Sequence, residues 1–327
     1  MANPKFKAPP AIASVRASRG PWRAMFYRLL RRKMAVVGLV IIAFFTLVAF
    51  LAPFLAPHDP LKLEPSQFCL PPVWVKQSSI GTTSDPRYLL GTDLDGRDVL
   101  SRLLYGTQAS MILGWISAPL IAVIGVAVGL IAGYVGGRTD NLLMRLADVF
   151  YAFPSVMFYI MIMFIFRKTE MGKWQNGLAM LLLALISIGW VGVARLVRSV
   201  VLSLKSAEFV QAARCVGATD LHIVLRHVLP NCLSVIVVWL TLAIPRLIII
   251  EALLGYVGVG LVPASSSNRS FFVVSWGGLF LDGRMALNSQ PIMLLAPALC
   301  VALIGMSFAF LGDALRDALD PHLQNVL

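Results

Sequence analysis

The stretch M111-ILGWISAPLIAVIGVAVGLIAGY-V135 decides the fold class. It holds no charged residue, and an apolar run of about 20 residues is long enough to cross a bilayer as a helix. Its glycines Gly125, Gly129 and Gly133 recur at four-residue spacing. A small-xxx-small face of this kind lets two helix backbones approach where lipid offers no hydrophobic drive, although incidental small residues give the same pattern.

Outward from this run, others follow. The first span covers Met34 to about Ala56, the third about 149–166, the fourth about 177–197, the fifth about 233–254 and the sixth about 292–312. The composition agrees, with 58% hydrophobic and 13% charged residues in a chain of 327. Soluble proteins carry about a quarter charged residues. The expected fold is therefore an all-α polytopic membrane protein with six transmembrane helices.

Six spans place both termini on one side. Residues 1–33 carry nine Lys/Arg and no acid, which puts this end inside by the positive-inside rule, although the basic loop Arg167–Asn176 runs against it. The first apolar run is longer than a signal peptide's core, so it reads as an uncleaved anchor. The expected organisation is a cytoplasmic basic segment (1–33), the first span (34–56), an extracytoplasmic loop with a short helix (57–110), a core (111–312) and a cytoplasmic tail (313–327). The net charge of +12 belongs to membrane orientation and lipid contact. No nucleic-acid reading motif accompanies it.

Several chemistries are hard to build here. The four histidines, His58, His222, His227 and His322, lie outside the spans. The cysteines Cys69, Cys215, Cys232 and Cys300 show no metal-type spacing. No phosphate-binding loop is present, so any ATP is bound by another chain. Asp93-Leu-Asp95-Gly96-Arg97-Asp98 hints at a calcium loop, but the glycine falls at the fourth place and Leu104 replaces the closing glutamate. Asp95-Gly96 instead reads as a turn, and Asp98 as the start of a helix VLSRLLYG on the outer membrane surface. No catalytic residue and no metal site is assigned.

Charge inside a span costs about 2.5–3.5 kcal/mol at the helix centre on insertion scales. Arg246 and Glu251 are the exceptions in this sequence. Five residues apart, they sit some 140° apart around a helix and do not pair directly. They either line a transport path or meet a partner subunit or the outer interface.

The segment 203–231 interrupts the apolar pattern. Its first part favours helix, with Phe209, Ala212, Ala213 and Val216 on one face. Gly217 suits the left-handed end of that helix. Thr219 then caps a second helix with Asp220 in its first turn, and Pro230 breaks it before the fifth span. Two short helices joined by a glycine turn fit two placements equally: docked in a pocket of another protein, or flat on lipid.

The pattern Gln211-Ala212-Ala213-x3-Gly217-x11-Leu229-Pro230 resembles the "EAA" signature of permease subunits of bacterial ABC importers, with Gln211 at the usual glutamate and His227 at the usual isoleucine. LLGTDLDGRDVLSRLLYGTQASMILG (89–114), ADVFYAFPSVM (147–157), EALLGYVGVGL (251–261) and FLGDALRDALDP (310–321) resemble the oligopeptide/dipeptide branch. The segment 262–275 is longer than that branch's usual linker. The resemblance implies a type I importer permease fold in the bacterial inner membrane and an assembly with a second unlike permease subunit. Two cytoplasmic ATPases would hold ATP and magnesium, and an extracytoplasmic binding protein would deliver substrate. It implies that Glu208, Phe209, Gln211, Ala212, Ala213, Gly217, Ala218, Asp220, Leu229 and Pro230 form the coupling element in an ATPase groove. Cargo other than peptides, such as nickel or glutathione, stays open. So does a stand-alone ion-coupled carrier.

Overall fold

The computed structural model describes residues 29–262 and 274–319. It is helical, with two isolated antiparallel bridges, Gln77–Thr83 and Thr92–Asp98, among the described residues. The main helices are α1 (Lys33–Leu55), α2 (Val99–Val135), α3 (Gly137–Tyr151), α4 (Ser155–Phe166), α5 (Leu178–Lys205), α6 (Glu208–Cys215), α7 (Asp220–Ile223), α8 (Leu229–Val257), α9 (Trp276–Met285) and α10 (Ile292–Leu319). Among the described residues five continuous helical stretches are long and apolar enough to cross a membrane, and α3 with α4 makes a sixth if this bent pair is one span.

Three expectations change. The third span is not straight: α3 and α4 meet at 79°. Pro154 lacks an N–H and pushes Phe153 out of the helical region, so the helix must restart. Alone, the 12 residues of α4 reach only about 18 Å. Secondly, the expected surface helix VLSRLLYG is the first part of the 37-residue α2. Gly106 at the junction packs against Trp276 and Leu279 and does not interrupt the helix, so the loop ends at Asp98 rather than at residue 110. Asp98 caps α2, accepting a hydrogen bond from the Ser101 amide at 3.0 Å. Thirdly, Pro230 does not end a helix. A single π turn over Val224–Val228 carries α7 into α8, with the Leu229 amide donating to the Val224 carbonyl five residues back. The wider turn removes the clash between a proline ring and the carbonyl four residues earlier.

The glycine seam of α2 packs on α5. A Cβ at Gly125 would stand 2.5 Å from the Val193 Cβ, one at Gly129 2.6 Å from the Ala194 carbonyl oxygen, and one at Gly133 2.8 Å from the Val201 Cβ. The small residues are thus the contact itself, and they let the two helices lie backbone to backbone.

Residues 57–98 form a strap over the end of the bundle where α2 begins. The Thr92 amide donates to the Leu70 carbonyl at 3.1 Å, and the Gln290 side chain donates to the same carbonyl at 2.7 Å. Asp95–Gly96 makes the expected turn, with Gly96 at φ +77 and the Asp93 carboxylate accepting from the amides of Asp95 and Arg97 at 2.8 Å. The other Asp93 oxygen meets Arg97 and the buried Arg102, which also reaches Asp282 at 2.8 Å. These carboxylates serve arginines and backbone amides. The long segment before α9 lies largely outside the described residues, as do residues 1–28 and 320–327.

Candidate functional site

Two places bring the polar residues together: the segment at the end of the bundle where α5 and α8 meet, and a cavity on the bundle's side, open where Tyr151, Phe153 and Arg246 are exposed.

At the first, α5 stops at Lys205 and the chain turns into α6. The Gln211 side-chain amide donates to the Lys205 carbonyl at 3.1 Å, closing that turn. Gly217 ends α6 at φ +86 with open space around it, and the Ala218 amide reaches back to the Ala213 carbonyl at 3.1 Å. A residue with a Cβ is strained in that conformation. Thr219 stands at the cap position of α7, yet its hydroxyl makes no capping bond; its carbonyl accepts from Ile223.

The segment is pinned to the bundle by a residue that its own sequence does not reveal. The Tyr134 hydroxyl, at the end of α2, donates to Asp220 at 2.6 Å. Arg214 donates to the same hydroxyl at 3.3 Å, which raises the guanidinium's already high pKa. Lys205 donates to the Tyr134 carbonyl at 2.5 Å. Beneath these polar ties, Val210, Ile223 and Val228 are fully buried. One helical turn is thereby held from two sides.

The buried face is not the expected one. Phe209, Ala212, Ala213 and Val216 were to share a face, but the structure divides them. Ala213 and Ala218 pack partly buried against the core. Phe209 and Ala212 are exposed, and Val216 is 89% exposed. Val210 takes the place on the core, and Ala213 follows it at i+3, so the outward face is Phe209, Ala212 and Val216. Beside that face runs a shallow groove lined by Leu221, His222, Leu225, Arg226 and Pro230. Leu221 is 69% exposed. His227 lies between Phe209 and His222, at ring separations of 6.5 and 6.0 Å. Glu208 is exposed in the first turn of α6, and Leu229 is partly buried in the first turn of α8.

The second place is a cavity of about 280 Å³ between the α3–α4 bend, α5 and α8, with Tyr151, Ser155, Tyr159, Trp239 and Arg246 among its walls. Arg246 and Glu251, candidates for a transport path or for a contact with a partner subunit or the outer interface, stand in different places. Arg246 lines the cavity. Glu251 is fully buried away from it, accepting from the Ser110 hydroxyl at 3.0 Å. That hydroxyl in turn accepts from the Trp276 amide at 3.2 Å. A Cβ at Gly277 would lie 2.5 Å from a Glu251 oxygen. Glu251 thus joins α2, α8 and α9.

A bundle of membrane-length helices, one of them broken at a proline, with a two-helix projection at one end, is the frame of a polytopic membrane protein. The chain belongs to the family of binding-protein-dependent transport system inner membrane components, whose model matches residues 125–325. A second model, the N-terminal TM domain of oligopeptide transport permease C, matches residues 20–72. Relatives include the oligopeptide transport system permease protein OppC of Haemophilus influenzae, 35% identical over 93% of this chain and 89% of its own length. The dipeptide transport system permease protein DppC of Bacillus subtilis is 35% identical over 95% and 88%. The glutathione transport system permease protein GsiD of Pectobacterium atrosepticum is 33% identical over 94% and 93%. Among solved structures, an inward-facing MetNI methionine ABC transporter chain shares the fold at a TM-score of 0.54 and 19% identity, over 68% of this chain and 98% of that one.

Proposed function

We propose that the chain is one of two unlike membrane subunits of an ATP-driven importer for short peptides. The observation that carries this reading is the projection 208–230: its inner face is pinned and its outer face bears Phe209, Val216 and Leu221 exposed. A rigid helix seated in a pocket transmits displacement that a loose loop would absorb. In this reading the projection lies on the cytoplasmic side, both termini with it, and seats in a groove of one of two ATPases. ATP and magnesium are bound there and not on this chain. A binding protein delivers cargo at the strap side. Peptide cargo is supported by the oligopeptide and dipeptide permeases among the relatives. The glutathione permease fits the same class, since glutathione is itself a tripeptide.

Reconstitution tests it. In proteoliposomes, this chain with its second permease, ATPases and binding protein takes up peptide only when ATP is supplied. Uptake by this chain alone, driven by a proton or sodium gradient and indifferent to ATP, would establish an ion-coupled carrier instead.

A further inference from the structure

We infer that the Arg246 cavity is a carboxylate-binding station on the translocation path, receiving the C-terminal carboxylate of the peptide cargo. The inference rests on the peptide-permease reading above.

Arg246 lies 17 residues into α8, about 26 Å along it and so well inside the apolar span. It makes no hydrogen bond or ion pair with any described residue. Among the described residues lining the cavity it is the one charged side chain, and no carboxylate stands there. The nearby acid Asp148 is engaged by Arg195 at 2.6 Å. A guanidinium kept in a membrane span without a counter-charge calls for an anion from outside the chain.

Two further donors face the same space. Tyr159 is 4% exposed and lines the cavity, and its hydroxyl has no hydrogen-bond partner among the described residues. Ser155, also on the wall, begins α4. The first rung of that helix runs from the Phe158 amide to the Pro154 carbonyl at 3.1 Å, so the amides of Ser155, Val156 and Met157 take no partner within it. A discontinuous membrane helix whose free amino end borders the site has the geometry that favours an anionic substrate group. Tyr151 and Trp239 add aromatic walls beside the charge. The 79° bend at Pro154 is what brings this helix end to Arg246. At about 280 Å³ the cavity holds a small end group, and Arg246 is exposed at its open side.

The test uses the whole transporter in proteoliposomes with trialanine and trialanine amide as probes, each with saturating ATP and binding protein. The wild type takes up the free acid about tenfold faster than the amide. Arg246→Gln takes up both at the rate of the amide, and Arg246→Lys restores a preference for the acid. Equal uptake of acid and amide by the wild type, or an undiminished preference in Arg246→Gln, overturns the inference and leaves the permease reading standing. So does loss of the second permease subunit on purifying the Arg246→Gln complex, which would assign the charge to a subunit contact. Failure of the wild type to import either probe overturns the peptide reading itself, and the inference with it.

Discussion

Gln211 shows how much one side chain can redefine a motif. A glutamate there could not donate to the Lys205 carbonyl, whereas the glutamine amide does so at 3.1 Å. The bond is exposed, and such bonds contribute about 0.5–1.5 kcal/mol. Gly217 is different. At φ +86 a β-branched residue costs roughly 1–3 kcal/mol and misaims both helices. Gln211→Ala is therefore expected to lower peptide uptake less than Gly217→Val, compared in one reconstituted system; the reverse order would mean that the polar contact outweighs the turn. Tyr134→Phe removes the hydroxyl that Asp220 and Arg214 share. It is expected to keep ATP hydrolysis while reducing uptake several-fold, by about 1–2 kcal/mol of lost tethering. Unchanged uptake per ATP would exclude that role. Gly217 was legible in the sequence because its work is local, a left-handed turn, and Asp220 only as an acid in the first turn of a helix. Tyr134 was not: it is 86 residues from Asp220, and it closes an apolar run in which a tyrosine reads as an ordinary membrane-interface aromatic.

At the scale of elements, the spans were legible and their breaks were not. Hydropathy registers composition, and the bend at Pro154 or the π turn before Pro230 changes geometry with little change in composition. Proline gives a warning in both cases, yet one site bends by 79° and the other continues. What differs is the response available: a wider turn at the second site, a restart at the first. The face of α6 was misassigned for a related reason. Periodicity finds an apolar stripe, but Val210 and Phe209 are neighbours, and only packing decides which of them turns inward. This alters the choice of probe. Ala213→Asp strikes a residue packed on the chain's own core, so it is expected to destabilise the projection itself. Val216→Asp, at a position 89% exposed, is expected to leave the thermal midpoint unchanged and abolish ATPase binding in a pull-down. Retained binding would contradict the outward face. The glycine seam gives a parallel test. Gly129→Leu, where even a Cβ would meet the Ala194 oxygen at 2.6 Å, is expected to cost at least about 1–3 kcal/mol by overpacking. Gly305→Ala, with nothing within 4 Å, is expected to be silent in the same thermal assay.

In the whole molecule the two ends are built for different tasks. The strap end is locked by charge: Asp93 and Arg102 are each 1% exposed, and Arg102 also reaches Asp282 on α9 at 2.8 Å. Breaking a buried pair costs about 3–5 kcal/mol because one charge is left uncompensated. Arg102→Ala is thus expected to lower the thermal midpoint and open residues 57–98 to protease. A strap as resistant as the wild type would refute the lock. The other end is locked by Tyr134 and its partners but leaves Phe209, Val216 and Leu221 uncovered, as a surface awaiting a partner would. Between them lies the cavity at the broken helix. The most direct measurement of the central claim is site-specific cross-linking. A single cysteine introduced as Val216→Cys, in a chain whose exposed Cys215 is replaced by serine, is probed in the membrane with the ATPases present. The expected result is a specific adduct with an ATPase subunit, with a yield that changes when ATP is bound. Adducts with lipid alone, whatever the nucleotide, would contradict it.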